Sequence, residues 1–444
     1  MAAVATAASP SRLFPAGLPS KAWLDGLDVQ GFTNPVSGVV FRGEAFDRPT
    51  CGLPLGGLDT GCLDLEANGM LGFSTIFNEL VHPRHMINMP FLGISLGGAT
   101  TLLASDTKAK RFAPREPGTF TDSGGGGDYT PSFVDLPGLR GARTVDSIDY
   151  FGHYPVADLE IEAKALPISV GIRAFTPFVL GDTASSTVPA AVFDVHLRNS
   201  QPDASAQNGT LVFNFPGMPE VHPPGLPASI SVPVTRHRLL PAPGCALNGV
   251  SVDRLGGTYG DQWTMGYVLA IVSDSSADDS TVQVGGSLDT ELTRWESIET
   301  ALPAASADAS GTSLAVRFTL AAGEHQRIRF VLAWHAPDWY ASGNPGTAGP
   351  TSNTYRHMYA TRFASALATA THVGSNADSL LSRTLRWQSM IYSDSALRDK
   401  PWLADQLVNC LHLGTECSVW AQTGPRTTWC NPQDGIFALN ECRQ

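Results

Sequence analysis

The stretch that most constrains the fold is residues 51–98, CGLPLGGLDTGCLDLEANGMLGFSTIFNELVHPRHMINMPFLGISLGG. Gly52, Gly56, Gly57, Gly61, Gly69 and Gly72 punctuate short apolar runs within it. Glycine costs backbone entropy and offers no side chain to the core, so this density predicts tight corners and close backbone approaches. Between the corners, Cys62-Leu63-Asp64-Leu65 alternates at the strand period, and Asn68-Gly69 is a hairpin-turn dipeptide. Phe73, Ile76 and Phe77 lead into a polar cluster of Asn78, Glu79, His82, Arg84 and His85, after which residues 91–96 read as another strand.

Two chemistries suggested by this stretch are set aside. The glycines do not follow dinucleotide spacing and no helical pattern follows them, so they do not form a phosphate cradle. Glu79, His82 and His85 lack the i, i+4 spacing of a helical metal site, and the ordinary reading is a hydrogen-bonded polar corner. The cysteines at 51, 62, 245, 410, 417, 430 and 442 are sparse, odd in number and without CxxC pairs, which favours reduced thiols. The four between 410 and 442 fit no standard zinc spacing, so no metal is expected. A net charge of -12 argues against a nucleic-acid backbone or an anionic membrane as partner. The N-terminus has no basic segment followed by a long apolar run, and no stretch is long enough to span a bilayer, so a cytoplasmic location is expected. The Asn208-Gly209-Thr210 sequon means little without export.

A chain of 444 residues predicts two or three domains. Residues 1–24 are rich in Ala, Ser and Pro and are expected to be disordered. Residues 106–143 read as loop, with a flexible tract at Gly124 to Gly127. Strand signals recur at 158–163, 168–175, 190–197, 210–215, 230–234, 267–272, 281–284, 313–320 and 327–334, with Gly/Pro turns and no interleaved helices. That pattern predicts an antiparallel sandwich or barrel. His196 alternates with apolar neighbours and is expected to be structural. A Gly/Pro/Asn/Ser/Thr cluster at 343–351 then marks a boundary. Residues 354–371 read as helix, Leu380, Leu381, Leu385, Trp387, Ile391 and Tyr392 recur at helical intervals, and Asp399-Lys400-Pro401 precedes a stripe of Leu403, Leu407, Cys410 and Leu411. The expected fold class is therefore mainly β with a helical C-terminal part. A two-sheet antiparallel sandwich over 25–350 precedes helices in 351–444.

The run GLPLGGLDTGCLDLEANGMLGFSTIFN resembles the N-terminal signature of glycoside hydrolase family 116, which includes non-lysosomal glucosylceramidases and prokaryotic β-glucosidases. So do YFGHYPVADL from Tyr150, RAFTPF from Arg173, FVLAWH from Phe330, and PWLADQLVNCLHL with the later VWAQ. The aromatic and proline positions in these segments are read as core and corner packing. The resemblance implies a sandwich followed by the first helices of an (α/α)6 barrel. It also implies a retaining β-glycosidase acting on a β-glucoside, either a small molecule or a glycolipid, without a cofactor.

Retaining hydrolysis needs two carboxyls, one as nucleophile and one as acid/base. The resemblance assigns the nucleophile to Glu441, in the run GIFALNE. Read without the family, Glu441 is an ordinary exposed glutamate near the end of the sequence. The family's acid/base aspartate falls beyond residue 444, so the chain is expected to be a fragment or a truncation that does not hydrolyse glycosides by itself. Asp434 lies in a turn with Gly435, and Asp405 is read as a solvated helical residue, so neither substitutes. The helices after Leu380 are expected to expose apolar stripes meant for partner helices. The alternative is a non-catalytic sandwich module that binds carbohydrate or a protein partner.

Overall fold

The structure is a computed structural model, and it describes residues 39–42, 52–78, 85–111, 132–199, 205–219, 234–241, 246–255, 265–272, 282–306, 309–340, 354–423 and 436–438. In chain order the strands begin with β1 (Val39–Arg42), β2 (Leu53–Leu55), β3 (Leu63–Leu65), β4 (Met70–Ser74), β5 (His85–Pro90), β6 (Leu92–Leu96), β7 (Ala99–Leu102), β8 (Lys108–Arg111) and β9 (Ser132–Asp135). Next come β10 (Ser147–His153), β11 (Val156–Glu162), β12 (Ser169–Phe175), helix α1 (Thr183–Ser186), β13 (Ala190–Arg198), β14 (Gln207–Phe215), β15 (Val234–Leu240), β16 (Leu247–Leu255), β17 (Met265–Val272) and β18 (Val282–Gly286). The chain continues through α2 (Leu292–Glu296), β19 (Thr312–Leu320), β20 (His325–His335), β21 (Asp338–Tyr340) and β22 (Thr354–His357). Last are α3 (Ala366–Tyr392), α4 (Pro401–Asn409), α5 (His412–Cys417), β23 (Ser418–Thr423) and β24 (Ile436–Ala438).

Two sheets form the sandwich. The larger has the order β1-β10-β11-β12-β13-β20-β17-β16-β15 and the smaller β18-β19-β14-β6-β7. Their inner faces meet in an aromatic cluster, where Phe213 has ring-centroid distances of 5.1 Å to Phe91, 5.2 Å to Phe193 and 5.3 Å to Phe330. Alternation on the strands accounts for this face. Phe193 and Val195, or Ile328, Phe330 and Leu332, point inward and belong to one buried core.

The opposite face of the large sheet is also buried, because α3 lies on it. Val192, Val268, Ala270, Val331 and Ala333 pack there with Ala366, Ala370, Val373 and Ala377 of the helix. Ser365 caps α3, accepting from the Ala368 N–H. A fourth layer covers the small sheet, where the fully buried Trp295 of α2 packs with Val212 and Ala315. The layers therefore run α3, nine-stranded sheet, five-stranded sheet, α2.

Most strand expectations hold, and several details are corrected. Residues 106–143, read as loop, contain the hairpin β8–β9, with Lys108↔Asp135 and Arg111↔Ser132 in register. Residues 354–371, read as one helix, open instead with β22, and α3 starts only at Ala366. The apolar stripe of α3 does not await absent helices, since Trp387 joins the sandwich core and Leu381 and Leu385 pack against the sheet-side cluster. In α4 the buried residues are Ala404, Asp405 and Val408, while Leu407 and Cys410 of the stripe are exposed, as the expectation of apolar residues left exposed on these helices has it. Expectations for residues 1–24, 124–127 and 230–233 lie outside the described residues.

Candidate functional site

The glycine-rich stretch folds into the corners its composition predicts. Gly61 has φ +74°, and a Cβ built on it would lie 2.5 Å from Thr75 O. A Cβ on Gly57 would lie 2.6 Å from Val188 N, so the loop presses directly on the backbone between α1 and β13. Asn68-Gly69 turns between β3 and β4 as expected, with Gly69 at φ +82°. The stretch forms the sheet β2-β3-β4-β5 and is held to the sandwich at its end, where Phe77 packs near Phe215 and Tyr267.

What the corners present is a buried polar junction. Asp59 and Asn78 both adopt φ +66°, a region that costs a non-glycine residue about 1–2 kcal/mol. Each uses its side chain to hold distant backbone. The Asn78 amide nitrogen donates to Ala336 O at 2.9 Å and Asp338 O at 2.8 Å, just past the end of β20. That orients its amide oxygen toward His357 Nε2, 2.9 Å away. The other ring nitrogen, Nδ1, lies 2.7 Å from Asp59 Oδ1. The Asp59 carboxyl also accepts from Met358 N at 2.9 Å on Oδ2 and from Trp420 N on Oδ1. Tyr359 stacks on the imidazole with centroids 5.3 Å apart. Trp334 Nε1 closes the corner by donating to Thr60 O at 2.6 Å.

Proton accounting fixes the junction's electrostatics. With both amide hydrogens of Asn78 given to carbonyls, its oxygen accepts and His357 Nε2 must donate. One further proton lies between Nδ1 and Asp59, so the pair is neutral overall whichever atom carries it. Burial pushes the Asp59 carboxyl upward, against the pull of His357 and of the Trp420 and Met358 N–H groups. Asp59 and His357 are 1% and 2% exposed, so no solvent screens these bonds.

The junction bears on the expected nucleophile through one sheet, β21-β22-β23-β24. His357 ends β22 and pairs with Ala421 of β23. Trp420, whose N–H meets Asp59, pairs with Ile436 of β24. The segment Ile436-Phe437-Ala438 belongs to the run GIFALNE that ends in Glu441. Glu441 and Asp434 themselves lie outside the described residues, as do Glu79, His82 and Arg84. Of the polar cluster read in the sequence, Asn78 is brought into the junction, while His85 contributes backbone to β5.

Asp405 is a correction: the carboxyl read as solvated is 0% exposed. Tyr392 Oη donates to its Oδ1 at 3.0 Å and Asn409 Nδ2 at 3.2 Å, while Oδ2 has no partner among the described residues. Burial raises it to about 6, and the Tyr392 bond lowers it only in part. Asn409 in turn accepts from Tyr154 N at 2.9 Å, so the carboxyl serves the corner between β10 and β11. That corner belongs to the FGHYPVAD segment, and Tyr154 there is fully buried, in keeping with the packing role read for it.

Two further charged sites are structural. On the face beneath α3, Asp158, Arg173, Asp194 and Arg329 are register partners across β11, β12, β13 and β20, alternating in sign. Burial opposes the Asp158 charge but Arg173, with Nε 2.8 Å away, holds it at about 2. His196 sits on this face at the sheet's end, with Nδ1 3.0 Å from His325 Nε2. A small half-open cavity of about 20 Å³ is lined by Glu66, Asn68, Asn88, Lys108, Lys110 and Phe133. Among the described residues no three His, Cys, Asp or Glu side chains come together to hold a metal, and no helix is long and apolar enough to cross a membrane.

Asp59 and His357 escaped the sequence reading. The available signal was an aspartate inside a run of corner glycines, Gly57-Leu58-Asp59-Thr60-Gly61, where a side chain replaces glycine at a left-handed turn. His357 had no such signal, because its segment was read as helix. A family model described as beta-glucosidase 2, glycosyl-hydrolase family 116 N-term, matches residues 52–380. That span contains nearly all of the glycine-rich stretch, both main sheets apart from the edge strand β1, and the first half of α3. No curated protein matches the chain.

Proposed function

Because the chain belongs to glycosyl hydrolase family 116 by way of that family's N-terminal domain, we propose that it is a retaining β-glycosidase hydrolysing β-linked glucosides. Glu441 is its nucleophile. The observation that carries this reading is the family match over residues 52–380. The pairing of β24 with β23 supports the residue assignment, since the first part of the GIFALNE run forms a strand three residues before Glu441.

In this reaction Glu441 attacks the anomeric carbon while a second carboxylic acid, about 5–5.5 Å away, protonates the leaving oxygen. A covalent glycosyl-enzyme forms, and water releases the sugar with retention. Neither the buried carboxyl of the junction nor that of α4 suits the acid role. Asp59 is committed to His357 and two backbone N–H groups, and Asp405 faces Tyr392 and Asn409 with no exposure to substrate. We therefore read α4 and α5 as opening helices of an (α/α)6 barrel whose further helices supply the acid. Glucosides with lipid or aryl aglycones are the proposed substrate class, and no cofactor takes part. Cys410, exposed and unbridged among the described residues, fits a reducing, cytoplasmic setting.

The test uses the natural-length enzyme and a 2-deoxy-2-fluoro-β-glucosyl fluoride, which traps the covalent intermediate. Peptide mapping should find the sugar on Glu441, and Glu441→Gln should abolish turnover of an aryl β-glucoside. Labelling of another carboxylate, or full turnover by the variant, would remove the assignment. A protein that binds glucosides but is never labelled would be the non-catalytic module instead.

A further inference from the structure

We propose that Asp405 is a pH-operated latch on α4: neutral, it keeps the helix docked against the β10–β11 corner, and charged, it lets the helix lift away while the sandwich stays folded. The inference does not rest on the function proposed above.

The geometry of the carboxyl comes first. Asp405 lies on the inward face of α4 with Ala404 and Val408, and it has no exposed surface. Oδ1 is 3.0 Å from Tyr392 Oη and 3.2 Å from Asn409 Nδ2, whereas Oδ2 has no partner among the described residues. An ionised carboxylate there keeps a full charge away from water with one oxygen unserved, an arrangement that disfavours the docked helix. The neutral acid fits the same atoms. A proton on Oδ1 is donated to Tyr392 Oη, the hydroxyl oxygen still accepts from Asn409, and an uncharged Oδ2 loses far less by lacking a partner. Burial outweighs the Tyr392 bond and sets this carboxyl at about 6.

The attachments around α4 show what such a charge would move. Before it, α3 grips the corner by itself, since Gln388 Nε2 donates to His153 O at 2.7 Å and to Tyr154 O at 3.0 Å. After it, Thr415 of α5 bonds Tyr154 Oη and Gly56 O. The hold of α4 between these two anchors is slighter. Its buried apolar side chains, among those described, are Ala404 and Val408, and Asn409 accepts from Tyr154 N at 2.9 Å. Asn409 also donates to Asp405, so the carboxyl orients the amide that reaches the corner.

The surrounding charges leave this role to Asp405. On α3 the titratable neighbour is Tyr392, and at the corner it is His153, which burial holds below its ordinary value, with Asp158 3.5 Å behind it. On α5 they are His412 and Glu416, 3.8 Å from each other. In the connection from α3 they are Asp394, Arg398, Asp399 and Lys400, all exposed. Of these, Tyr392 is the one that acts on the Asp405 carboxyl. In the lifted helix that carboxyl returns toward 3.8, so rising pH favours lifting between about 4 and 6 and adds nothing beyond.

Hydrogen exchange of the natural-length protein, followed from pH 4.5 to 8 and expressed as amide protection factors for 401–410, tests the latch. Protection factors cancel the intrinsic pH dependence of exchange. Between pH 4.5 and 7 they should fall by on the order of 10–30-fold in the wild type and stay level in Asp405→Asn, whose amide cannot ionise. At pH 7 the α4 amides should also be at least about tenfold less protected than those of β20, which separates lifting of the helix from unfolding of the whole. Level protection in the wild type, the same fall in Asp405→Asn, or equal protection in α4 and β20 at pH 7 would each overturn the proposal. Should Asp405→Asn fail to fold, Tyr392→Phe removes the bond that lowers the carboxyl. The pH at which the fall levels off should then move upward, and an unmoved value would overturn the proposal.

Discussion

Asp59 and His357 stand 298 positions apart in sequence and 2.7 Å apart in space, and both are buried. The bond joins the glycine-rich corner before the sandwich to the strand after it. All of the sandwich except the edge strand β1 lies between them in sequence and holds both ends: Phe77, beside Asn78, packs near Tyr267 of β17, and Trp334 of β20 bonds Thr60. A polar junction of this kind needs an apolar frame, because each of its bonds is made in the absence of water and would cost more to leave unmade than it contributes when made.

The charge ladder under α3 gives a contrast that tests burial against geometry. Asp194 receives Arg329 through Nε at 2.6 Å and Nη2 at 2.7 Å, with side-chain exposures of 3% and 2%. Asp378 receives the same guanidinium at 2.8 Å but is 68% exposed. Removing Asp194 leaves a buried cation with only the exposed Asp378 carboxylate as partner, so Asp194→Ala should destabilise by about 3–5 kcal/mol. Asp378→Ala should cost about 0–1 kcal/mol. Urea denaturation followed by far-UV circular dichroism measures both, and equal losses at the two sites would contradict the ladder's dependence on burial.

The sandwich was legible because its strands alternate strongly, as in Val192-Phe193-Asp194-Val195, and because turn glycines and prolines separate them. Even there the alternation concealed something. Asp158, Arg173, Asp194 and Arg329 look like solvent-facing residues of half-exposed strands, but α3 covers that face and they pair with one another. Periodicity reports which residues share a face and not what lies over it. The same limit explains the C-terminal errors. Leu403, Leu407 and Cys410 recur at helical intervals, yet α4 turns Ala404, Asp405 and Val408 inward, because Asp405 and Asn409 serve the Tyr154 corner. Asp59 and His357 were illegible for a simpler reason, since long-range polar pairs leave no local pattern. The run GIFALNE was legible only as family likeness.

If Glu441 is the nucleophile, small-anion rescue should reveal it in the natural-length enzyme. Glu441→Gly removes the attacking group and leaves space beside the anomeric carbon. Azide should then restore cleavage of an activated aryl β-glucoside and give a glycosyl azide of inverted, α configuration, since one displacement replaces two. Gas chromatography or nuclear magnetic resonance identifies the anomer. A product of retained configuration, or no rescue from a variant that folds, would contradict the role.

Asp405 predicts how stability depends on pH. Its carboxyl titrates at about 6 in the folded protein, against 3.8 for the unperturbed group, because burial disfavours the charge. A raised carboxyl means that the folded state binds the proton more tightly than the unfolded one. Its favourable contribution is therefore full below about pH 4 and is lost as pH rises through 6. Two pKa units correspond to about 3 kcal/mol, an upper figure given that Tyr392 and Asn409 can follow the carboxylate. Asp158 works in the opposite sense: held at about 2, its contribution is present above the unperturbed 3.8 and is lost as pH falls through 2. The two act in separate windows, but burial also lowers His196 and His335 to about 4, so between pH 4 and 7 it is the comparison with an Asp405 variant that isolates this carboxyl. Urea midpoints measured across that interval should fall for the wild type more steeply than for Asp405→Asn, whose amide cannot ionise. The difference between the two curves should be largest near pH 7. Parallel curves from pH 4 to 7 would mean that Asp405 is charged in the fold throughout, with a donor for Oδ2.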